Sequence, residues 1–141
     1  AFVQSVAVNE FDRLGDGDLL FIDSSHAVKV GSDVIRLFLD IIPKLNKGVY
    51  IHIHDIYLPY LYPRTALSDY FGWQETALIH ALLTNNSQLK TQACLSYLNY
   101  KSPGGLKKLF PDYEPQESDA GLRIGDWVDK HFPDSLWLRT V

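Results

Sequence analysis

Apolar and polar positions along this chain fall into two kinds of pattern, and each predicts an element. Leu19 to Asp23 is a continuous apolar run ending in an acid, as expected of a strand buried on both faces. Val49 to Asp55 is a second such run and carries His52, His54 and Asp55. Between them Val34, Ile35, Leu37, Phe38, Ile41 and Ile42 recur at helical spacing behind Ser32, a good N-cap residue. Pro43 falls near the end of that helix, and Asn46-Lys47-Gly48 closes it. A strand, a helix and a strand in this order form a right-handed crossover with parallel strands. The two polar strand ends, Asp23-Ser24-Ser25-His26 and His54-Asp55, then share the carboxyl-terminal edge of one sheet. That edge is where open α/β sheets place their ligands.

The remaining pattern is more broken. Phe2 to Val8 reads as a short extended piece. Asn9 with Asp12 forms a weak capping box opening a helical turn to Leu14. Gly15-Asp16-Gly17-Asp18 is a tight turn; Asp12, Asp16 and Asp18 lack the spacing and closing glutamate of a calcium loop. The stretch from Ile56 to Pro63 is too rich in proline for a central strand and predicts a lid or cleft wall. Thr65 to Tyr70 predicts a short helix. Trp73 to Leu83 predicts a longer one, with Ala77, Leu78, Ala81 and Leu82 on one face, ended by Asn85-Asn86-Ser87. A third strand is expected within Leu89 to Asn99, centred on Ala93 to Tyr97. After it come a turn from Lys101 to Gly105 and a short helix from Leu106 to Phe110. Pro111 to Ala120 reads as an exposed acidic excursion, Leu122 to Phe132 is of mixed character, and Ser135 to Arg139 is a last strand. There are no internal repeats.

Composition narrows the class. A chain of 141 residues, residues 1–141, is one domain by size. Its apolar fraction of 46% and charged fraction of 21% are those of a soluble globular protein. A net charge of −4 argues against nucleic acid as a partner, since phosphate binding needs a basic field. No apolar stretch is long enough to span a bilayer, and no signal peptide is visible. The single cysteine, Cys94, excludes an internal disulfide framework, suits a reducing cytoplasm and reads as a small buried hydrophobe. The chain contains no methionine and opens directly on Ala1-Phe2-Val3. This is the expectation for part of a longer protein; a processed N-terminus is the alternative.

Carboxylates and imidazoles bind divalent cations and move protons near neutral pH. Acids facing one another at a sheet edge repel, and a cation or a proton between them relieves the conflict. Asp23, His26, His54 and Asp55 are therefore the candidate site. The plainer alternatives are loop capping for Asp23 and Asp55 and loop packing for His26. His52 lies deeper in its strand and reads as a core histidine, although His52-Ile53-His54 also fits a strand-end zinc motif of metal-dependent hydrolases. Ser24-Ser25 lacks the frame of a nucleophile elbow, and no phosphate-cradling loop occurs.

The string LLFIDSSHAVKVGSDVIRLFLDIIPKLNKGVYIHIHDIYLPYLYP, densest in signal from Asp18 to Pro63, resembles the carboxyl-terminal half of a class I, S-adenosylmethionine-dependent methyltransferase. Within that superfamily it is most similar to the group called methyltransferase family 24. The resemblance implies an α/β, Rossmann-like half-sheet, strands four to seven, with Leu19 to Asp23 as the fourth, Val49 to Asp55 as the fifth and the last strand antiparallel. It implies a divalent cation such as magnesium at Asp23, His54 and Asp55, beside a small-molecule methyl acceptor, and His26 as the base that deprotonates an acceptor hydroxyl. His54 stands where some relatives have a carboxylate. The family's glycine-rich cofactor loop and ribose-binding acid are absent from this sequence, so the chain alone is expected to bind cofactor poorly and to be inactive. It is expected to dimerise or to associate with its own N-terminal half, because one sheet edge is left open. The competing readings are a metal-dependent hydrolase using His52 and His54, and a non-catalytic domain whose tyrosine-rich loop, Tyr57 to Tyr62, binds a partner.

Overall fold

The computed structural model describes residues 2–62, 72–113 and 133–141. Four strands form one sheet: β1 (Leu19–Ile22), β2 (Tyr50–Ile53), β3 (Leu89–Cys94) and β4 (Leu136–Thr140), in the spatial order β1-β2-β4-β3. β1 and β2 are parallel, with Leu19 opposite Tyr50 and Ile22 opposite Ile53. β4 is antiparallel to both of its neighbours, pairing Leu136 with Ile53 on one side and with Cys94 on the other. This mixed sheet with its helices is compatible with a partial Rossmann-like fold. Because β4 is reversed, the residues that precede it reach the same edge as the residues that follow β1 and β2.

The connection from β1 to β2 is helical, as its periodicity predicts. Ser32 caps it, its Oγ accepting from the Ile35 amide at 3.3 Å. Helix α1 (Asp33–Ile35) continues as a π turn (Arg36–Ile41) and ends as a 3₁₀ turn (Ile42–Lys44). Pro43 has no N–H to donate, so a regular α ladder cannot run through it. Val34, Leu37, Phe38, Ile41 and Ile42 are buried against Ile22, Ile51, Ile53, Leu136 and Leu138, which line one face of the sheet. At the amino-terminal edge Thr140 holds β4 to β2: its Oγ1 donates to the Asn46 carbonyl at 2.7 Å and accepts from the Val49 amide at 2.9 Å.

The other face behaves differently. Alternation along the strands sends Phe21, Tyr50, His52, Trp137 and Arg139 there. The rings of Phe21 and His52 lie 5.0 Å apart, those of His52 and Trp137 stack at 4.1 Å, and Arg139 lies 5.2 Å over the ring of Tyr50. β1 is not buried on both faces as its apolar run predicts. Leu19 is 49% and Phe21 54% exposed, since no described residue fully covers that side of the strand.

Other departures have local causes. The segment expected to be extended forms a 3₁₀ turn at Val3–Ser5, and the helical turn expected after Asn9 forms as a 3₁₀ helix at Val8–Arg13, starting one residue before the expected cap. These turns let Val3 and Phe11 pack against the core. β3 ends at Cys94, and helix α3 (Leu95–Lys101) takes up residues expected to continue the strand. Buried Ser96 turns the chain there by donating to the Leu58 carbonyl at 2.7 Å. Helix α4 (Pro103–Leu109) absorbs most of the expected turn, with proline at its start, where no N–H is needed. Helix α2 (Glu75–Leu83) buries Glu75, Thr76 and Ile79, whereas Ala81, placed by its periodicity on the inner face, is exposed. The expectations for Pro63, for 65–70, for 114–120 and for 122–132 lie outside the described residues.

Candidate active site

Three strand ends meet at the carboxyl-terminal edge. The loop after β1 supplies Asp23, Ser24 and His26, the end of β2 supplies His54 and Asp55, and the residue two before β4 supplies Asp134. The Asp134 carbonyl accepts from the Ile56 amide at 2.6 Å, and the Ile22 carbonyl accepts from the His54 amide at 2.9 Å, so the three segments are tied by backbone bonds. His26 and Asp55 both have left-handed backbone, with φ of 56° and 57°. That region is uncommon for residues other than glycine, and such strain collects at functional sites.

His26 is the centre of the arrangement. Its Nε2 lies 3.0 Å from Asp55 Oδ2, and its Nδ1 lies 2.8 Å from Glu75 Oε2. Its ring stacks on Trp73 with centroids 5.0 Å apart. Burial alone would lower the pKa of the imidazole. The hydrogen bonds to Asp55 and Glu75 and the charges of both carboxylates outweigh burial and raise it to about 10. His26 is therefore an imidazolium near neutral pH, with both ring nitrogens donating.

Asp55 takes part on both sides. Burial would raise its carboxyl, but the hydrogen bonds with His26 and Asp134, helped by the charges of His54 and His26, hold it down at about 2. Asp134 is pushed the other way, to about 7, by burial first and then by its hydrogen bond and charge repulsion with Asp55. The pair thus holds one proton on the Asp134 side in mildly acidic solution. His54 Nδ1 lies 3.1 Å from Asp55 Oδ1 without the alignment of a hydrogen bond, and its side chain is half exposed.

All four residues picked out from the sequence, Asp23, His26, His54 and Asp55, lie at this edge, but they fall into two overlapping donor sets. Asp23, His26 and Asp55 form one, and His54, Asp55 and Asp134 the other, with the donor atoms of each set within 4.8 Å of one another. Asp23 and His54 belong to different sets, so the expected trio of Asp23, His54 and Asp55 is not gathered as such. In the first set the His26 imidazolium must give up a ring proton before it can offer a lone pair to a cation. The second fits in donor type and charge: one imidazole and two carboxylates that already compete for a proton. His52 joins neither set. It stacks on Trp137, and its pKa is lowered by burial and then by the charge of His54.

Two members escaped sequence reasoning. Asp134 was legible in principle, since an acid just before an antiparallel last strand reaches the edge where the parallel strands end. Glu75 reads as an ordinary first-turn acid of an amphipathic helix, and nothing local marks it as buried. No glycine-rich turn stands at this edge among the described residues. Gly17 and Gly48, with φ of 89° and 92°, precede β1 and β2 at the opposite edge.

No helix among the described residues is long and apolar enough to cross a membrane. Comparison with curated proteins and with solved structures finds no match. Residues 2–56, which build β1, α1, β2 and the strand ends from Asp23 to Asp55, match the family model described as a methyltransferase domain. This segment is therefore methyltransferase-like.

Proposed function

We propose that the chain acts in S-adenosylmethionine-dependent methyl transfer to an oxygen of a small or sugar-like acceptor. The observation that carries this reading is the convergence of Asp23, His26, His54 and Asp55 at one sheet edge, within a segment that matches a methyltransferase domain. As the acceptor oxygen bonds to the methyl carbon, the methyl–sulfonium bond breaks with its electron pair left on sulfur, and the acceptor hydroxyl must lose its proton. The base expected at His26 is held as an imidazolium, so Asp23, the exposed carboxylate beside it, receives that proton. His26 supplies a fixed positive charge next to the developing alkoxide. His54, Asp55 and Asp134 would hold a divalent cation, which would supply further positive charge to lower the pKa of a bound hydroxyl. A cytoplasmic setting suits this chemistry.

The hydrolase reading is the weaker one, because His52 is stacked on the sheet face and does not join His54 in a donor set. Calorimetry on the full-length protein separates the two. Micromolar binding of S-adenosylmethionine is expected, with Asp23→Asn lowering turnover by about 10²-fold or more while cofactor affinity is kept. Tight zinc retention without cofactor binding would overturn the proposal in favour of hydrolysis.

A further inference from the structure

The chain entering α2 touches the loop after β1 at every residue from 73 to 75. Trp73 stacks on the His26 ring. The Gln74 and Glu75 amides both point at the His26 carbonyl, at 3.0 and 3.3 Å, and Gln74 Oε1 accepts from the Val28 amide at 3.2 Å. Glu75 Oε2 accepts from Ser24 Oγ at 2.9 Å and faces His26 Nδ1 at 2.8 Å. Ser24 Oγ in turn accepts from the His26 amide at 3.0 Å. The next residue, Thr76, accepts at Oγ1 from the Tyr57 amide at 3.2 Å, which ties the same turn to the loop after β2.

A carboxylate that is only 1% exposed is expensive to bury, and Glu75 Oε1 has no hydrogen-bond partner among the described residues. A residue serving packing alone would not be a glutamate here. We propose that Glu75 is a positioning residue for His26. It fixes the ring plane through Nδ1, so that the Nε2 proton is directed at Asp55, and it holds the left-handed loop that carries both Ser24 and His26. Aspartate is too short to reach from the same backbone position, and glutamine keeps the shape without the charge. The inference concerns the site of the proposed methyl transfer, but its test does not use turnover and can fail separately from that reading.

The test is a ¹H–¹⁵N spectrum of the imidazole protons in the full-length protein at one near-neutral pH. Two slowly exchanging, downfield ring protons are expected from His26, one per carboxylate. In Glu75→Gln the Nδ1 proton should move upfield and exchange with water roughly tenfold faster or more, while the Nε2 proton and the backbone amides far from residues 24–28 stay in place. In Asp55→Asn the reverse pattern is expected. An unchanged Nδ1 proton in Glu75→Gln overturns the proposal. If that variant does not fold, the wild type decides by itself: the absence of a protected His26 Nδ1 proton overturns the role.

Discussion

At the scale of single residues, the site depends on how one imidazole divides its two protons between two acids. His26 has a folded-state pKa raised from the ordinary 6.5 to about 10. A raised value means that its contribution to stability is complete below 6.5 and is lost as pH climbs through about 10. The melting temperature is therefore expected to fall across that window, and His26→Gln should flatten this part of the profile. An identical slope in wild type and variant, followed by circular dichroism, would show that the doubly bonded imidazolium is not what stabilises the loops. Asp55 works in the opposite sense, its depressed pKa adding stability above about 3.8 that is lost as pH falls toward 2. The chemistry at the mouth was legible because acids and histidines at the ends of apolar runs are rarely there for packing. The pairing was not. Spacing along β1 and β2 says which residues share an edge, but the partner that binds His26 Nδ1 comes from α2, 49 residues further on. Sequence cannot weigh a contact of that range.

Elements follow their local signals most closely where capping and periodicity agree. Ser32 is 4% exposed, and its hydroxyl accepts from Ile35. Ser32→Ala is expected to cost about 1 kcal/mol, read as a lower denaturant midpoint with an unchanged slope. A midpoint that does not move would mean that the π turn, not the cap, sets the strength of this helix. The crossover, the first two strands and the reversed last strand were all legible, the last through a family resemblance. The segment from Leu89 to Gly105 was misjudged at its boundaries. Leu95, Tyr97 and Leu98 suit a strand as well as a helix by composition, and the decision rests on Ser96 finding the Leu58 carbonyl. That is tertiary context overriding a weak local preference.

For the molecule as a whole, the sheet has one well-covered face and one with aromatic rings near its open side. Leu19 and Phe21 are about half exposed on β1, and β1 pairs only with β2 among the described residues. An apolar edge strand of this kind is a template for pairing with another chain. Residues 1–141 are expected to self-associate as concentration rises, and Phe21→Lys should reduce this in light scattering. A monomer over the whole accessible concentration range would mean that the edge is guarded by something other than its side chains.

The sheet order also has a consequence in time. β4, the last strand in sequence, lies between β2 and β3. Arg139 near its end reaches Asp16, 123 positions earlier, at 2.6 Å. Until β4 arrives, β2 and β3 have no backbone link, and the edge that carries Asp134 does not exist. A nascent chain must therefore keep β1, α1 and β2 waiting until everything between Ile53 and Leu136 has been made. Closure by such distant contacts is slow. Asp134 thus joins the strand ends of β1 and β2 only when β4 docks.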